Sequence, residues 1–140
     1  MNINSIFDLF NSQESLDDDN SLLTDFSSHP LFWIGGFNKI INNHRFFIQY
    51  TSKMLKDISP ELNLEEIEKS GEELMYNKAW DYIKNVNVNN LFHVECLKNK
   101  TTEGLHLNLT MAIYFYEKLE EYERCALLKN IESKVKEFLI

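Results

Sequence analysis

A long amphipathic pattern between residues 37 and 58 constrains the fold of this chain more than any other feature of its sequence. Large side chains recur there at steps of three and four, which places them on one face of a helix. A helix of this kind is stabilised mainly by other elements that cover its apolar face. The predicted inward-facing residues are Phe37, Ile40, Ile41, His44, Phe47, Ile48, Thr51, Leu55 and Ile58.

Prolines mark both limits of this first helical region. Pro30 suits the first turn of a helix, and Ser59-Pro60 ends the pattern because a residue before proline disfavours the helical conformation. Gly35 and Gly36 follow Pro30 closely. Since glycine pairs mark turns, we expect them to interrupt regular structure ahead of the long helix. The chain therefore divides into a segment over residues 1–29 and a helical domain over residues 30–140.

A second helix is predicted to begin after Asn63, a favoured N-cap residue. Glu65, Glu66 and Glu68 supply the negative charge that the start of a helix favours. Gly71 lies on its inward face, where the missing side chain permits close contact between helices. The predicted buried residues are Leu64, Ile67, Leu74, Met75, Ala79, Tyr82, Ile83 and Val86.

Residues 86–100 carry two competing patterns. Phe92, Val94 and Cys96 alternate as in a strand, whereas Leu91, Val94 and Leu97 have the spacing of a short helix. We favour the helix, because the sequence offers no second strand pattern with which a strand here would pair.

Two further helices are predicted between residues 102 and 139, the first of them capped by Thr102. Because only Glu120 and Glu121 separate the two patterns, the helices are expected to form an antiparallel hairpin. The predicted inward residues are Leu105, Leu109, Ala112, Ile113 and Tyr116 on the first helix, and Leu128, Ile131, Val135 and Phe138 on the second.

The stretch from Tyr116 to Ala126 resembles the central turn of a tetratricopeptide repeat. Tyr122 and Cys125 occupy positions that this family fills with aromatic and small residues, and Glu120 stands where it has a glycine. The stretch is similarly close to the UVR-type hairpin of excision-repair proteins. Both resemblances imply a hairpin that binds proteins. We interpret it as a generic helical hairpin, since no second copy is found and tetratricopeptide arrays need about three repeats.

These patterns together predict an all-α fold, a small bundle of four or five helices with a C-terminal antiparallel hairpin and an acidic N-terminal segment. Of the 22 acidic residues, six lie within residues 1–30, a stretch without Lys or Arg, and the chain carries a net charge of -8. No basic cluster of the kind that binds phosphates is present, which argues against direct binding of nucleic acid. The acidity either suits a protein partner with a basic surface or only keeps the chain soluble.

The remaining composition indicates a cytoplasmic protein. Met1 leads into a polar, acidic segment, unlike a secretory signal, and no apolar run approaches the roughly 18 residues of a membrane span. Cys96 and Cys125, the only cysteines, are therefore expected to be free thiols. Abundant Lys and Asn with few Ala indicate an AT-rich coding genome, as in a phage, a mobile element or a low-GC bacterium.

The sequence contains no recognisable set of catalytic residues. His93-Val94-Glu95 is similar to the H-x-E start of zinc deaminases, but the P-C-x-x-C motif that supplies their other ligands is absent. His93, Cys96 and His106 match no standard zinc spacing, so we favour a core cysteine with two partly exposed histidines. We therefore predict no catalytic residue, no metal and no cofactor, and a protein that is not an enzyme.

The most specific short feature is the stretch Ser5-Ile6-Phe7-Asp8-Leu9-Phe10. It resembles the peptides by which phage and bacterial replication or transcription proteins dock into a sliding clamp, although the family's glutamine is missing. The alternative is that the same apolar side chains cover a groove of the chain's own helical body. The candidate partner-binding residues are Ile6, Phe7, Leu9, Phe10, Asp17, Asp18, Asp19 and Trp33.

Three functional classes fit these observations. The first is a non-catalytic adaptor or regulator that binds protein through an acidic surface and the apolar N-terminal motif. The second is an inhibitor or immunity protein that masks a basic active site with negative charge. The third is a small structural or assembly subunit of a phage or multiprotein complex, in which Trp33 serves as an interface anchor.

Overall fold

Five helices make up the part of the chain that the structure describes, residues 26–61 and 63–140 of a computed structural model. No strand occurs among these residues, so the fold is the all-α bundle that the sequence predicts. Within the ambiguous stretch at 86–100, a helix spans Leu91–Lys100. The helices are α1 (Pro30–Ile58), α2 (Leu64–Ile83), α3 (Leu91–Lys100), α4 (Glu103–Lys118) and α5 (Tyr122–Phe138).

Side-chain caps begin four of the five helices. Asn63 and Thr102, both predicted from the sequence, accept hydrogen bonds from backbone amides in the first turns of α2 and α4. His29 and Asn90 do the same for α1 and α3. These acceptors satisfy amides that have no partner within the helix, which fixes where each helix starts.

All five helices contribute buried residues to one core. α1 packs against α2, α3 and α4, while α5 packs against α4 and α3. The predicted inward residues of the C-terminal hairpin are confirmed, because nearly all of them are buried and Phe138 packs against the core. Two side-chain contacts link the antiparallel helices of this hairpin, the ion pair Lys129–Glu117 at 3.0 Å and the hydrogen bond between Nε2 of His106 and Glu132 at 2.9 Å.

Four side chains predicted to face inward are exposed instead. They are Phe47 and Ile58 on α1, and Ile67 and Leu74 on α2. The distal part of α1, beyond about residue 46, has α2 beside it as its main neighbour. One neighbouring helix covers a narrower stripe than the helical pattern alone suggests, so the apolar residues at the edges of that stripe remain in contact with solvent.

The expected interruption at Gly35 and Gly36 is wrong, since α1 continues through both glycines. Gly36 lies against the aromatic ring of Tyr82 on α2, and a Cβ added there would lie 2.7 Å from the ring atom Cδ1. Gly36 therefore permits a close contact between α1 and α2. Gly71, for which such a contact was predicted, also lies near α1, because a Cβ added there would be 3.4 Å from Cε1 of His44.

The turn between α4 and α5 is closed by two backbone hydrogen bonds. The Glu121 amide donates to the Tyr116 carbonyl at 3.0 Å, and the Glu120 amide donates to the Glu117 carbonyl at 3.1 Å. This pattern is the Schellman motif, which requires a left-handed residue at its centre. Glu120 has a φ of 59°, and no other non-glycine residue of the described chain has a positive φ.

The predicted segment over residues 1–29 lies almost entirely outside the described residues, which begin at Phe26. Within residues 26–61 and 63–140, no helix combines the length and the apolar character that crossing a membrane requires.

Candidate functional site

A groove runs between α1, α2 and α4 on one side of the bundle. It consists of two adjoining cavities of about 270 and 420 Å³, and Glu72, Tyr76 and Met111 line both of them. We call this feature the central groove. Concave surfaces formed by several helices are preferred places for binding.

The floor of the central groove is apolar. Tyr76 and Phe115 stack with ring centroids 4.4 Å apart, and Met111 lies beside them on α4. Met111 is 38% exposed and Tyr114, one turn further along, is 61% exposed. Methionine adapts to partners of different shape, so this floor suits contact with another apolar surface. The apolar lining residues are Ile41, Ile48, Met75, Tyr76, Met111, Tyr114 and Phe115.

The α2 wall of the groove carries negative charge. Glu68 and Glu72 line it, and Glu68 accepts a hydrogen bond from the Ser52 hydroxyl at 2.5 Å. Glu65, Glu66 and Glu73 are exposed on the same helix. Opposite charge is limited to Arg45 in one cavity and Lys118 in the other.

Burial shifts the pKa values of two side chains in the groove. It lowers the pKa of His44, although the nearby Glu72 carboxylate acts in the opposite direction. Burial also raises the pKa of Tyr76 to about 12, and Glu72 adds to this increase. At neutral pH both side chains are therefore predominantly uncharged, which leaves Glu68, Glu72 and Arg45 as the charges of the smaller of the two cavities.

A polar network beneath the groove holds α1 against α4. Asn108 is fully buried, accepts a hydrogen bond from Nη2 of Arg45 at 2.7 Å, and donates to the side-chain oxygens of Asn38 and Asn42 at 2.5 and 3.0 Å. Arg45 also lies 3.3 Å from the sulfur of Met111. Because every polar atom of Asn108 has a partner, the network fixes the register of the two helices that form the groove.

A second network joins α2 to the C-terminal hairpin. The Tyr116 hydroxyl donates to the Tyr76 carbonyl at 2.7 Å, and Arg124 donates to the same hydroxyl at 3.3 Å. The Arg124 guanidinium also lies over the Trp80 ring, 5.1 Å from its centroid. Trp80 packs against the core. These contacts anchor the α2 wall at Tyr76 and so help to shape the groove.

Most residues that the sequence analysis named as partner-binding lie outside the described residues: Ile6, Phe7, Leu9, Phe10, Asp17, Asp18 and Asp19. Trp33 lies within them. Its ring is half-buried, packs against the core and meets the His93 ring edge-on, and its indole nitrogen donates to the Ser27 carbonyl at 2.9 Å. Trp33 does not line the central groove, and its role as an interface anchor stays a prediction.

The three residues considered as zinc ligands are not brought together. His93 accepts a hydrogen bond from the Asn87 amide at 2.9 Å, His106 pairs with Glu132, and Cys96 is buried in the core. Burial raises the pKa of both Cys96 and Cys125. In the described ranges, no group of three or more His, Cys, Asp or Glu residues is placed to hold a metal ion.

The sequence analysis missed the central groove, although a signal for its α4 side was present. Leu107, Met111 and Tyr114 recur at steps of four and three on the side of α4 opposite to its predicted core residues. A helix that is apolar on two sides has more than one surface to cover. The contributions of Arg45, Glu72 and Tyr76 carried no comparable signal, because they depend on how α1 and α2 cross α4.

Comparison with known proteins does not assign this chain to a family. The sequence matches no protein family, and neither curated proteins nor solved structures give a significant match. The resemblances to a tetratricopeptide or UVR-type hairpin and to a clamp-binding peptide stay predictions.

Proposed function

We propose that this chain is a non-catalytic adaptor or regulator that binds another protein in the central groove. The observation that carries the proposal is an apolar floor around Tyr76 and Met111 beside a wall that bears Glu68 and Glu72. An amphipathic helix complements such a groove, because its apolar face covers the floor while basic residues along its edge meet the carboxylates. The proposed partner is therefore a protein segment with an apolar helical face and a basic edge.

A direct test uses designed helical peptides. One peptide has a Leu and Met face bordered by Lys and Arg, the second has Glu at the bordering positions, and the third has the first peptide's composition in scrambled order. Fluorescence anisotropy is expected to show binding of the first peptide alone. Equal binding of all three peptides would contradict the proposal, because neither the apolar face nor the basic edge would then matter.

Variants of the groove locate the binding. Met111→Glu places a charge on the apolar floor near Glu72. We expect it to weaken binding of the basic-edged peptide by at least about tenfold, or roughly 1.4 kcal/mol. Leu91→Glu is the matched control, since Leu91 is an exposed leucine on α3 that does not line the groove. If both variants bind the peptide as the wild type does, the groove is not the site.

The same pair of variants identifies the natural partner. A protein recovered with the wild type and with Leu91→Glu, but lost with Met111→Glu, binds through the groove. A partner that all three proteins recover equally uses another surface and counts against this proposal.

A second candidate function is inhibition of an enzyme with a basic active site. It is favoured by the cluster of exposed carboxylates on α2, which comprises Glu65, Glu66, Glu72 and Glu73. Association driven by these charges is expected to weaken strongly between about 0.1 M and 1 M salt, over which the screening length falls from about 10 Å to about 3 Å. Binding carried by the apolar floor is much less sensitive to salt, so a salt titration separates the two functions.

A further inference from the structure

α1 has a second surface that none of the other described helices covers along its distal half. Its side chains recur at steps of three and four, on the side of the helix opposite to Ile41 and His44, which face α2. We call this surface the outer face. It comprises Lys39, Asn43, Phe46, Tyr50 and Met54 and, at its proximal end, Phe32 and Gly36, which contact Tyr82 of α2.

The outer face is strongly apolar at its distal end. Phe46 and Tyr50 are 74% and 73% exposed, and Met54 is 52% exposed. They line an open cavity of about 460 Å³ together with Lys53. A second cavity of about 550 Å³ lies at the other end of the outer face. Two large aromatic rings and a methionine exposed along one helix face indicate a surface that something covers.

The outer face begins where the N-terminal segment joins the described chain. Phe26 packs edge-on against Phe32, with ring centroids 5.5 Å apart, and both line the cavity of about 550 Å³. Residues 1–25 therefore start from one end of the outer face. Tyr50 lies 18 residues beyond Phe32 in the same helix, a distance of roughly 27 Å along the axis.

The length of the segment fits this distance. The apolar residues Ile6 to Phe10 precede Phe26 by 16 to 20 positions. A chain of that length without fixed structure has a root-mean-square end-to-end distance of roughly 20 to 27 Å. A tether of this length is therefore long enough to span the roughly 27 Å between the two ends of the outer face.

The charges of the two surfaces are complementary. Residues 1–25 carry six carboxylates and no Lys or Arg. The outer face carries Lys39. Lys100 lines the cavity at its proximal end, and Lys53 lines the distal cavity together with Asp57. Over its whole length α1 has four basic residues and one acidic residue, whereas α2 is acidic. An acidic segment is therefore attracted to α1 and repelled from α2.

We propose that residues 1–25 of this same chain dock along the outer face of α1, with Ile6, Phe7, Leu9 and Phe10 covering Phe46, Tyr50 and Met54. The occupant is thus the chain's own acidic segment, and the contact is intramolecular. This inference is independent of the proposed function, because the outer face and the central groove lie on different sides of α1. Peptide binding in the groove neither supports nor opposes it.

Paramagnetic relaxation in the full-length chain tests the proposal. A spin label is attached to Ser5→Cys, while the wild-type protein treated in the same way reports any labelling of the buried thiols of Cys96 and Cys125. We expect broadening of the amide signals of α1 near Phe46 and Tyr50. No broadening in this region would overturn the proposal.

A mixed sample distinguishes the chain's own segment from a second copy. Spin-labelled protein without ¹⁵N is combined with ¹⁵N-labelled protein without the spin label, so that broadening arises only between molecules. We expect none at α1. Broadening in this sample would show that a neighbouring molecule occupies the outer face and would overturn the intramolecular assignment.

Matched substitutions in the segment separate apolar contact from charge alone. Phe7→Asp combined with Phe10→Asp is expected to abolish the broadening, lower the melting temperature and increase the fluorescence of a dye that binds exposed apolar surface. Asn2→Asp combined with Asn11→Asp adds the same charge to the segment and leaves both phenylalanines in place, so all three readouts are expected to stay near wild type. If the two double variants behave alike, the aromatic motif does not cover α1.

Discussion

Gly36 of α1 lies directly against the ring of Tyr82 on α2, so that a Cβ at this position would approach three ring atoms to within 2.7 to 3.0 Å. The same ring also meets Phe32 edge-on, with centroids 5.6 Å apart, so a shift of the ring would disturb this contact. The neighbouring Gly35 has open space around the position of its missing Cβ. Two adjacent glycines in the same helix therefore have different reasons to be there.

The two glycines predict opposite effects of the same substitution. Gly36→Ala forces the Tyr82 ring to shift and is expected to destabilise the protein by about 1 to 3 kcal/mol. Gly35→Ala meets no atom and reduces the freedom of the unfolded chain, so it is expected to stabilise the protein by about 0.5 to 1 kcal/mol. Urea unfolding monitored by circular dichroism measures both changes.

Removing the ring supplies the control for this pair. In a Tyr82→Ala background, Gly36→Ala is expected to lower the free energy of unfolding much less, because the ring that it clashes with is absent. The difference between the two effects measures the coupling between the two positions. An equal cost in both backgrounds would mean that the contact with Tyr82 is not the cause.

Glu120 stores strain in the turn between α4 and α5. The left-handed conformation costs a residue with a side chain roughly 1 to 2 kcal/mol, whereas glycine adopts it without this cost. Glu120→Gly is therefore expected to stabilise the protein, by about 0.5 to 1 kcal/mol after allowing for the greater freedom of glycine in the unfolded chain. Glu120→Ala, which removes the charge but keeps a Cβ, is expected to give no comparable gain in the free energy of unfolding.

Asn108 is expected to be the least replaceable polar residue of the described core. Asn108→Ala leaves the side-chain oxygens of Asn38 and Asn42 without their donor and opens space between α1 and α4, at a cost of about 1 to 3 kcal/mol. Asn99→Ala, at an exposed position of α3, serves as the matched control and is expected to lie within about 0.5 kcal/mol of wild type. The free energies of unfolding from urea titrations provide the comparison. Similar values for the two variants would contradict a structural role for the Asn108 network.

His93 makes the stability of the fold depend on pH. Burial lowers its pKa from the ordinary value of 6.5, and its Nδ1 accepts a hydrogen bond from the Asn87 amide, so the folded state favours the neutral ring. The stabilisation that neutral His93 provides is complete above the pKa of His93 in the unfolded state. It is lost as the pH falls through the lower pKa of His93 in the folded state. The free energy of unfolding is therefore expected to decrease from pH 7.5 to pH 5.5, approximate limits set by this pKa.

The variant His93→Gln isolates this contribution, because glutamine does not titrate. Its free energy of unfolding is expected to fall less over the same pH range than that of the wild type. His44, whose pKa burial also lowers, acts in the same direction and accounts for part of the remaining slope. A pH dependence that His93→Gln leaves unchanged would exclude His93 as a source.

Cys96 and Cys125 are expected to be unreactive in the folded protein. Both are buried, and burial raises the pKa of each thiol, which suppresses the thiolate that attacks disulfide reagents. At pH 8, a colorimetric disulfide reagent is expected to detect almost no thiol in the native state and both thiols in urea. Rapid reaction of one thiol in the native protein would show local opening around it.

The sequence by itself determined the helices, their order and most of the core. Helical spacing of apolar residues located α2, α4, α5 and most of α1, and Asn63 and Thr102 were recognised as caps from their chemistry alone. The tight join at Glu120 and Glu121 also defined the C-terminal hairpin. These features are local, since each depends on residues within a few turns of the same chain.

Only the tertiary structure decided which faces are covered and where the groove lies. The exposure of Phe47 and Leu74 depends on how many helices reach the distal part of α1, and the place of Gly36 within a helix depends on Tyr82, 46 residues later in the chain. The central groove joins residues of α1, α2 and α4, and the buried hydrogen bonds of Asn108 hold α1 against α4. Such contacts are set by the crossing of whole helices, and the spacing of residues along one helix carries no information about that crossing.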